Sequence, residues 1–186
     1  MGAERLVAMR CVLILLLWLF PLGLMAQGLP PVAQKKIAAD PGKFIEDVQA
    51  LILGYGQDGA ISGAALANYI ALQRAGARAA AVRVLLAADL DGDGSVARDE
   101  VGFAAAAASA AGRGRLWAVF ARADADGNGL VAPDEVAAHA AAVALKGFSE
   151  AKAQAVRALL AFDKDGDGLV TLEEVAAGVA ELDEAA

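Results

Sequence analysis

The sequence predicts an all-α protein of four helix-loop-helix units, and three observations lead there. The 186-residue chain is 58% hydrophobic, and alanine, the commonest residue in that fraction, loses no side-chain entropy on entering a helix. Three twelve-residue segments repeat one grammar: "DLDGDGSVARDE" from Asp89, "DADGNGLVAPDE" from Asp124 and "DKDGDGLVTLEE" from Asp163. Upstream of them lie apolar runs at helical spacing, "AVRVLLAAD", "LWAVFARAD" and "AVRALLAFD". These set Val84 and Leu85, Val119 and Phe120, and Leu159 and Phe162 toward a core.

Residues 1–26 stand apart from the rest. Arg5 and Arg10 precede the apolar run "CVLILLLWLF", Pro21 interrupts it, and "GLMA" ends on the small Ala26. This is the layout of a secretory signal peptide, with cleavage expected between Ala26 and Gln27. The uncharged stretch from Cys11 to Ala26 is 16 residues long, short of the roughly 20 that a membrane-spanning helix requires. An uncleaved anchor is therefore the less favoured reading, and the expected location is outside the cytoplasm, periplasmic or secreted. Cys11 is the only cysteine, so the mature chain has no disulfide, thiolate metal site or cysteine nucleophile.

After an N-terminal extension, residues 27–39, the helices have recognisable ends. Asp40 followed by Pro41 reads as an N-cap with proline at the first helical position, Ser62 and Ser149 are further N-caps, and Gly76 and Gly147 read as stops. Val101, Val136 and Val175 open the helices that leave the three loops, and Pro133 is tolerated because the first helical turn needs no N–H there. The stretch "VGFAAAAASAAGRGR" reads as a helix with a flexible end, Gly112 to Arg115, between two halves of the molecule.

Each twelve-residue segment fits D-x-[DN]-x-[DN]-G-x5-E. A hard cation that takes six to eight oxygens needs ligands converging from several directions, which is why acids or amides recur at positions one, three and five. Here they are Asp89, Asp91 and Asp93; Asp124, Asp126 and Asn128; and Asp163, Asp165 and Asp167. Glycine at position six turns the chain, position seven (Ser95, Leu130, Leu169) offers its carbonyl, and a bidentate glutamate closes the sphere (Glu100, Glu135, Glu174). Bidentate glutamate favours Ca²⁺ over the smaller, octahedral Mg²⁺. Val96, Val131 and Val170 at position eight serve no metal but suit a short strand pairing between loops.

On these loops the chain resembles the EF-hand calcium-binding proteins over roughly residues 40–182. A fourth unit lies in register with the others: Ile61 precedes Val96 by 35 residues, Val96 precedes Val131 by 35, and Val131 precedes Val170 by 39. Its loop, residues 54–65, has only Asp58 and Ser62 at ligand positions, with Gly54, Gly56 and Ala65 where acids belong. It is expected to hold no ion and to support a neighbour. The resemblance implies two paired lobes, Ile61 facing Val96 within residues 40–111 and Val131 facing Val170 within 112–186.

The net charge of −7 fits a metal-binding task. Residues 1–26 carry +1, so the mature chain has −8, and three Ca²⁺ would bring it to −2. Lys35 and Lys36 are too few for a nucleic-acid surface. His139 is the sole histidine, and with no cysteine nucleophile an enzyme is not expected. All three methionines, at positions 1, 9 and 25, lie in the leader, so the mature chain lacks the Met-rich lining of calcium sensors. The sequence thus points to a monomeric calcium buffer or calcium-stabilised structural protein that binds three Ca²⁺ and no membrane after cleavage. The alternative is a calcium-dependent module for an unidentified protein partner, using Phe103, Trp117, Phe120 or Phe148.

Overall fold

A computed structural model describes residues 29–184, apart from the side chain of Asp183. The expected signal peptide, residues 1–26, lies outside the described residues. Helix α1 (Pro31–Ala39) forms within the expected extension and is followed by α2 (Pro41–Tyr55), strand β1 (Ala60–Ser62) and α3 (Gly63–Leu86). Then come β2 (Val96–Ala97), α4 (Arg98–Ala106), α5 (Ala110–Ala123), β3 (Leu130–Val131) and α6 (Pro133–Gly147). The chain ends with α7 (Glu150–Arg157), a 3₁₀ segment (Ala158–Phe162), β4 (Leu169–Thr171) and α8 (Leu172–Glu184). The class is all-α, with strands only where loops meet.

The caps explain the boundaries. Asp40 Oδ1 accepts from Lys43 N at 2.9 Å, Ser62 Oγ from Ala65 N at 3.2 Å, and Ser149 Oγ from Lys152 N at 3.3 Å. Each satisfies an N–H that the first helical turn leaves without a partner. Ser109 does the same for α5, accepting from Gly112 N at 3.2 Å. The break after α4 therefore falls at Ala107–Ser109, and residues 112–115, expected to be a flexible joint, lie inside α5.

Gly76 does not stop its helix. α3 runs through it for 24 residues, a rod about 36 Å long. The other two inter-loop segments have a serine to restart a helix, whereas no Ser, Thr, Asp or Asn occurs between Gly76 and Asp89. A lone glycine weakens a helix, but without a new cap nothing offers the chain another path.

This rod decides the topology. With loops 1 and 2 at its opposite ends, the expected contact of Ile61 with Val96 cannot form. Instead β1 pairs with β4, Ile61 facing Val170, and β2 pairs with β3, Val96 facing Val131. The expected contact of Val131 with Val170 is corrected in the same way. The pairs are nested, the outer loops together and the inner loops together, so a division at residue 111 does not separate them.

Each pair has its own core. Phe44, Val48, Ile52, Ile61, Leu66, Leu159, Phe162, Val170 and Val175 pack in the outer lobe, together with Ile37 of α1. Leu85, Val96, Val101, Phe120, Val131 and Val136 pack in the inner lobe. Val84, expected to face a core, is 37% exposed, and Val82 packs in its place. α3 and α6 run against each other, and small buried residues, Ala81 on one and Ala140 and Ala144 on the other, permit the close approach. At the corner between α6 and α7, Arg74 of α3 donates to Phe148 O at 3.3 Å and to Glu150 Oε2 at 2.8 Å.

Candidate metal centres

Loops 2, 3 and 4 share one construction. In loop 2, Asp89 accepts from Gly92 N at 2.7 Å and from Gly94 N at 3.1 Å. Those glycines have φ of 75° and 87°, the left-handed region that glycine enters without steric cost. The chain is thereby wrapped around the first carboxylate. Asp163 in loop 4 accepts likewise from Gly166 N at 2.8 Å and Gly168 N at 3.0 Å.

The closing glutamates reach across the loop. Glu100 accepts from Leu90 N at 2.7 Å with one oxygen and from Ala97 N at 2.7 Å with the other. Glu135 accepts from Ala125 N at 2.8 Å and Ala132 N at 3.1 Å, and Glu174 from Lys164 N at 3.1 Å and Thr171 N at 2.9 Å. The amides of Ala97 and Leu90 hold the Glu100 carboxyl below the usual carboxylate range, against a smaller opposing effect of burial and of Asp89. Glu174 is lowered by the amides of Thr171 and Lys164 and by the Thr171 hydroxyl. Thr171 Oγ also accepts from Glu174 N at 3.2 Å, so this loop alone of the three carries both halves of a capping box, position nine being alanine in the others.

Three carboxylates meet in each loop. One oxygen each from Asp89, Asp91 and Glu100 lie within 4.8 Å of one another, as do those of Asp124, Asp126 and Glu135, and of Asp163, Asp165 and Glu174. Position five is turned to the backbone: Asp93, Asn128 and Asp167 each accept from the position-seven amide, of Ser95, Leu130 and Leu169, at 2.7 Å. These side chains are placed beside the expected ligands without joining the three-carboxylate groups. Asn128 additionally donates to Asp126 Oδ2 at 2.8 Å.

A cation fits this donor set on two grounds. The donors are all oxygens, the preference of hard cations. Asp124 Oδ1 is also buried with no hydrogen-bond partner, a situation that costs free energy unless another positive group satisfies it.

The first loop is built differently. α2 continues through Gly54 and Tyr55, loop positions one and two, so the would-be first ligand position is still helical. Gln57 N donates to Ala60 O at 2.9 Å and Ala60 N to Gln57 O at 3.0 Å, closing a two-residue turn at Asp58 and Gly59. Their φ values of 52° and 81° are those of a hairpin turn favoured by Asp-Gly. Ala60 O lies against the Cα of Gly56, where a Cβ would overlap it. No side chain, and so no side-chain ligand, fits at this position. The Asp-Gly pair was the available sequence signal for this turn.

Comparison with protein families matches residues 156–179 to the EF hand. The matched segment runs from Val156 in α7, through the loop Asp163–Glu174, into α8. Loops 2 and 3 repeat the carboxylate grouping of this matched segment; loop 2 also repeats both glycine bonds to the first aspartate, and loop 3 keeps only that from Gly129 N to Asp124, at 3.1 Å. No curated protein and no solved structure gives a significant match to the chain.

Outside these loops, His139 is half-buried, and burial followed by the charge of Arg122 pushes its pKa down, with a backbone contact to Arg122 opposing.

Proposed function

We propose that this protein binds three calcium ions, one in each of loops 2, 3 and 4, and serves outside the cytoplasm as a calcium buffer or calcium-stabilised structural protein. The observation that carries the reading is the threefold grouping of carboxylates from positions one, three and twelve, one of them within a matched EF hand. The ligands proposed are Asp89, Asp91, Asp93, Ser95 O and Glu100; Asp124, Asp126, Asn128, Leu130 O and Glu135; and Asp163, Asp165, Asp167, Leu169 O and Glu174. A bound Ca²⁺ supplies the positive charge that three converging carboxylates lack.

The chain's own residues do the rest. Backbone amides keep Glu100 and Glu174 ionised, and the glycine turns hold the first aspartate inward. The paired apolar residues at position eight join loop to loop, so that ordering one steadies its partner. In the outer lobe that partner is the Asp58-Gly59 turn, which is closed by its own hydrogen bonds. Residues 1–26 are proposed to direct export. Among the described residues no helix is long and apolar enough to cross a membrane.

Calorimetric titration with Ca²⁺ tests the reading: three sites are expected, and a count of one or none refutes it. One observation favours the alternative of a calcium-dependent interaction module. Phe103, one of the aromatic residues that such a module would use, is 72% exposed on α4. Binding of an apolar dye with and without Ca²⁺ separates the two readings, an unchanged signal supporting the buffer.

A further inference from the structure

The outer lobe contains a cavity of about 490 Å³ between α1, α2 and α7. Its walls are mainly apolar, with Val48 and Leu51 from α2 and Val156 and Leu159 from the segment leading to loop 4. This size and lining are those of small-molecule sites, which run from roughly 300 to 1,000 Å³. A helix with its side chains is about 10–12 Å across, and α1 already takes a helix-sized place against α2 and α7, burying Ala33 and Ile37. What remains beside it is a slot that suits a flexible alkyl chain and not a second helix.

The polar groups on the lining give the other end of the ligand. Lys36 of α1 and Lys152 of α7 both border the cavity. Among the described residues, neither has a carboxylate within ion-pair distance, whereas Lys43, Lys164, Arg74 and Arg157 do. Lys152 Nζ donates to Gly147 O at 2.8 Å and keeps further donors available. The one acid on the lining, Asp47, is engaged by Lys43 at 3.0 Å. In a chain of net charge −7, the mouth of this cavity is locally cationic. Tyr69 also lines it, its ring held edge-on between Tyr55 and Phe148 at 4.9 and 5.9 Å. Burial, then the neighbouring Tyr55 and Asp47, raise its pKa, so the phenol remains a hydrogen-bond donor.

We infer that the outer lobe binds a long-chain carboxylate, its alkyl chain in the slot and its anionic head between Lys36 and Lys152. This site is separate from the calcium loops, and no step of it passes through a metal. The test is calorimetric titration of the full chain with dodecanoate, below its micelle concentration and in calcium-free buffer, with 1-dodecanol as the uncharged control. Dodecanoate is expected to bind saturably at one site. The double variant Lys36→Glu, Lys152→Glu, altered only at exposed side chains, should bind it about tenfold more weakly, the effect of two solvent-screened ion pairs, while dodecanol binding is unchanged. Ala155→Trp, which fills the slot, should weaken both ligands. No saturable dodecanoate binding, or equal affinity in the double variant, overturns the inference. So does an amphipathic helical peptide that binds at this groove where dodecanoate does not.

Discussion

Replacing Ile61 by alanine tests the nested pairing directly. Ile61 is 0% exposed, packs in the outer core with Leu66 and Val170 and faces Val170 across the strand pair. The change removes three carbons at about 0.8 kcal/mol each, and incomplete collapse around the gap adds about 1 kcal/mol. The sum, about 3–4 kcal/mol, lies within the usual range for such truncations. It corresponds to a rise of two to three orders of magnitude in the opening constant of the outer lobe, on the order of tenfold per 1.4 kcal/mol. Amide hydrogen exchange reads this residue by residue. Protection at Val170 should fall by about that factor, while Val96 and Val131, paired in the other lobe, should change far less. Trp117, edge-on to Phe120 at 5.9 Å in the inner core, should keep its fluorescence. If protection is lost at Val96 and kept at Val170, Ile61 pairs within residues 40–111 and the reasoning fails.

Two glycines of different surroundings should respond in opposite directions. A Cβ on Gly178 would lie 2.5 and 2.8 Å from the Phe162 ring, so Gly178→Ala should destabilise by about 1–3 kcal/mol through overpacking. A Cβ on Gly76 meets nothing within 4 Å, so Gly76→Ala should stabilise α3 by roughly 0.8–1 kcal/mol; thermal unfolding measures both, and a loss of stability in the second would show that α3 is not continuous there. Thr171→Ala removes the side-chain cap of α8 and should lower stability by about 1 kcal/mol; calcium titration of single-loop variants should find loop 4 not the weakest of the three, and the reverse order would remove the role given to Thr171. Glu150 is held below its ordinary pKa by hydrogen bonds from Arg74 and then Arg157. Its contribution is therefore present above the unfolded-state pKa and lost as pH falls through the lowered folded-state value. Stability measured across the acid range should show a smaller decline in Glu150→Gln than in the parent, and parallel curves would refute the linkage.

Local grammar was legible without coordinates because its causes are local. Asp89 and Asp163 wrap their glycines through bonds spanning three and five residues, Asp124 accepts across five, and Glu100, Glu135 and Glu174 reach back ten. Asp40, Ser62 and Ser149 cap helices within one turn. The repeat register likewise marked Ile61, Val96, Val131 and Val170 as buried strand residues, and each is 0% exposed. Position five was read from pattern alone, and the structure turns those side chains to the backbone. Gly76 and residues 112–115 were misread for a common reason: glycine was taken to end a helix, although the deciding feature is whether a capping residue follows.

What the sequence by itself determined is thus the set of units: helices bounded by caps, three carboxylate loops of one twelve-residue pattern, and one loop left with Asp58 as its sole acid. Which loops meet was decided only in three dimensions. Four apolar position-eight residues can pair in more than one way at nearly equal local cost. An unbroken 24-residue α3 holds Ile61 away from Val96, and its packing along α6 brings the first and last loops together around one core.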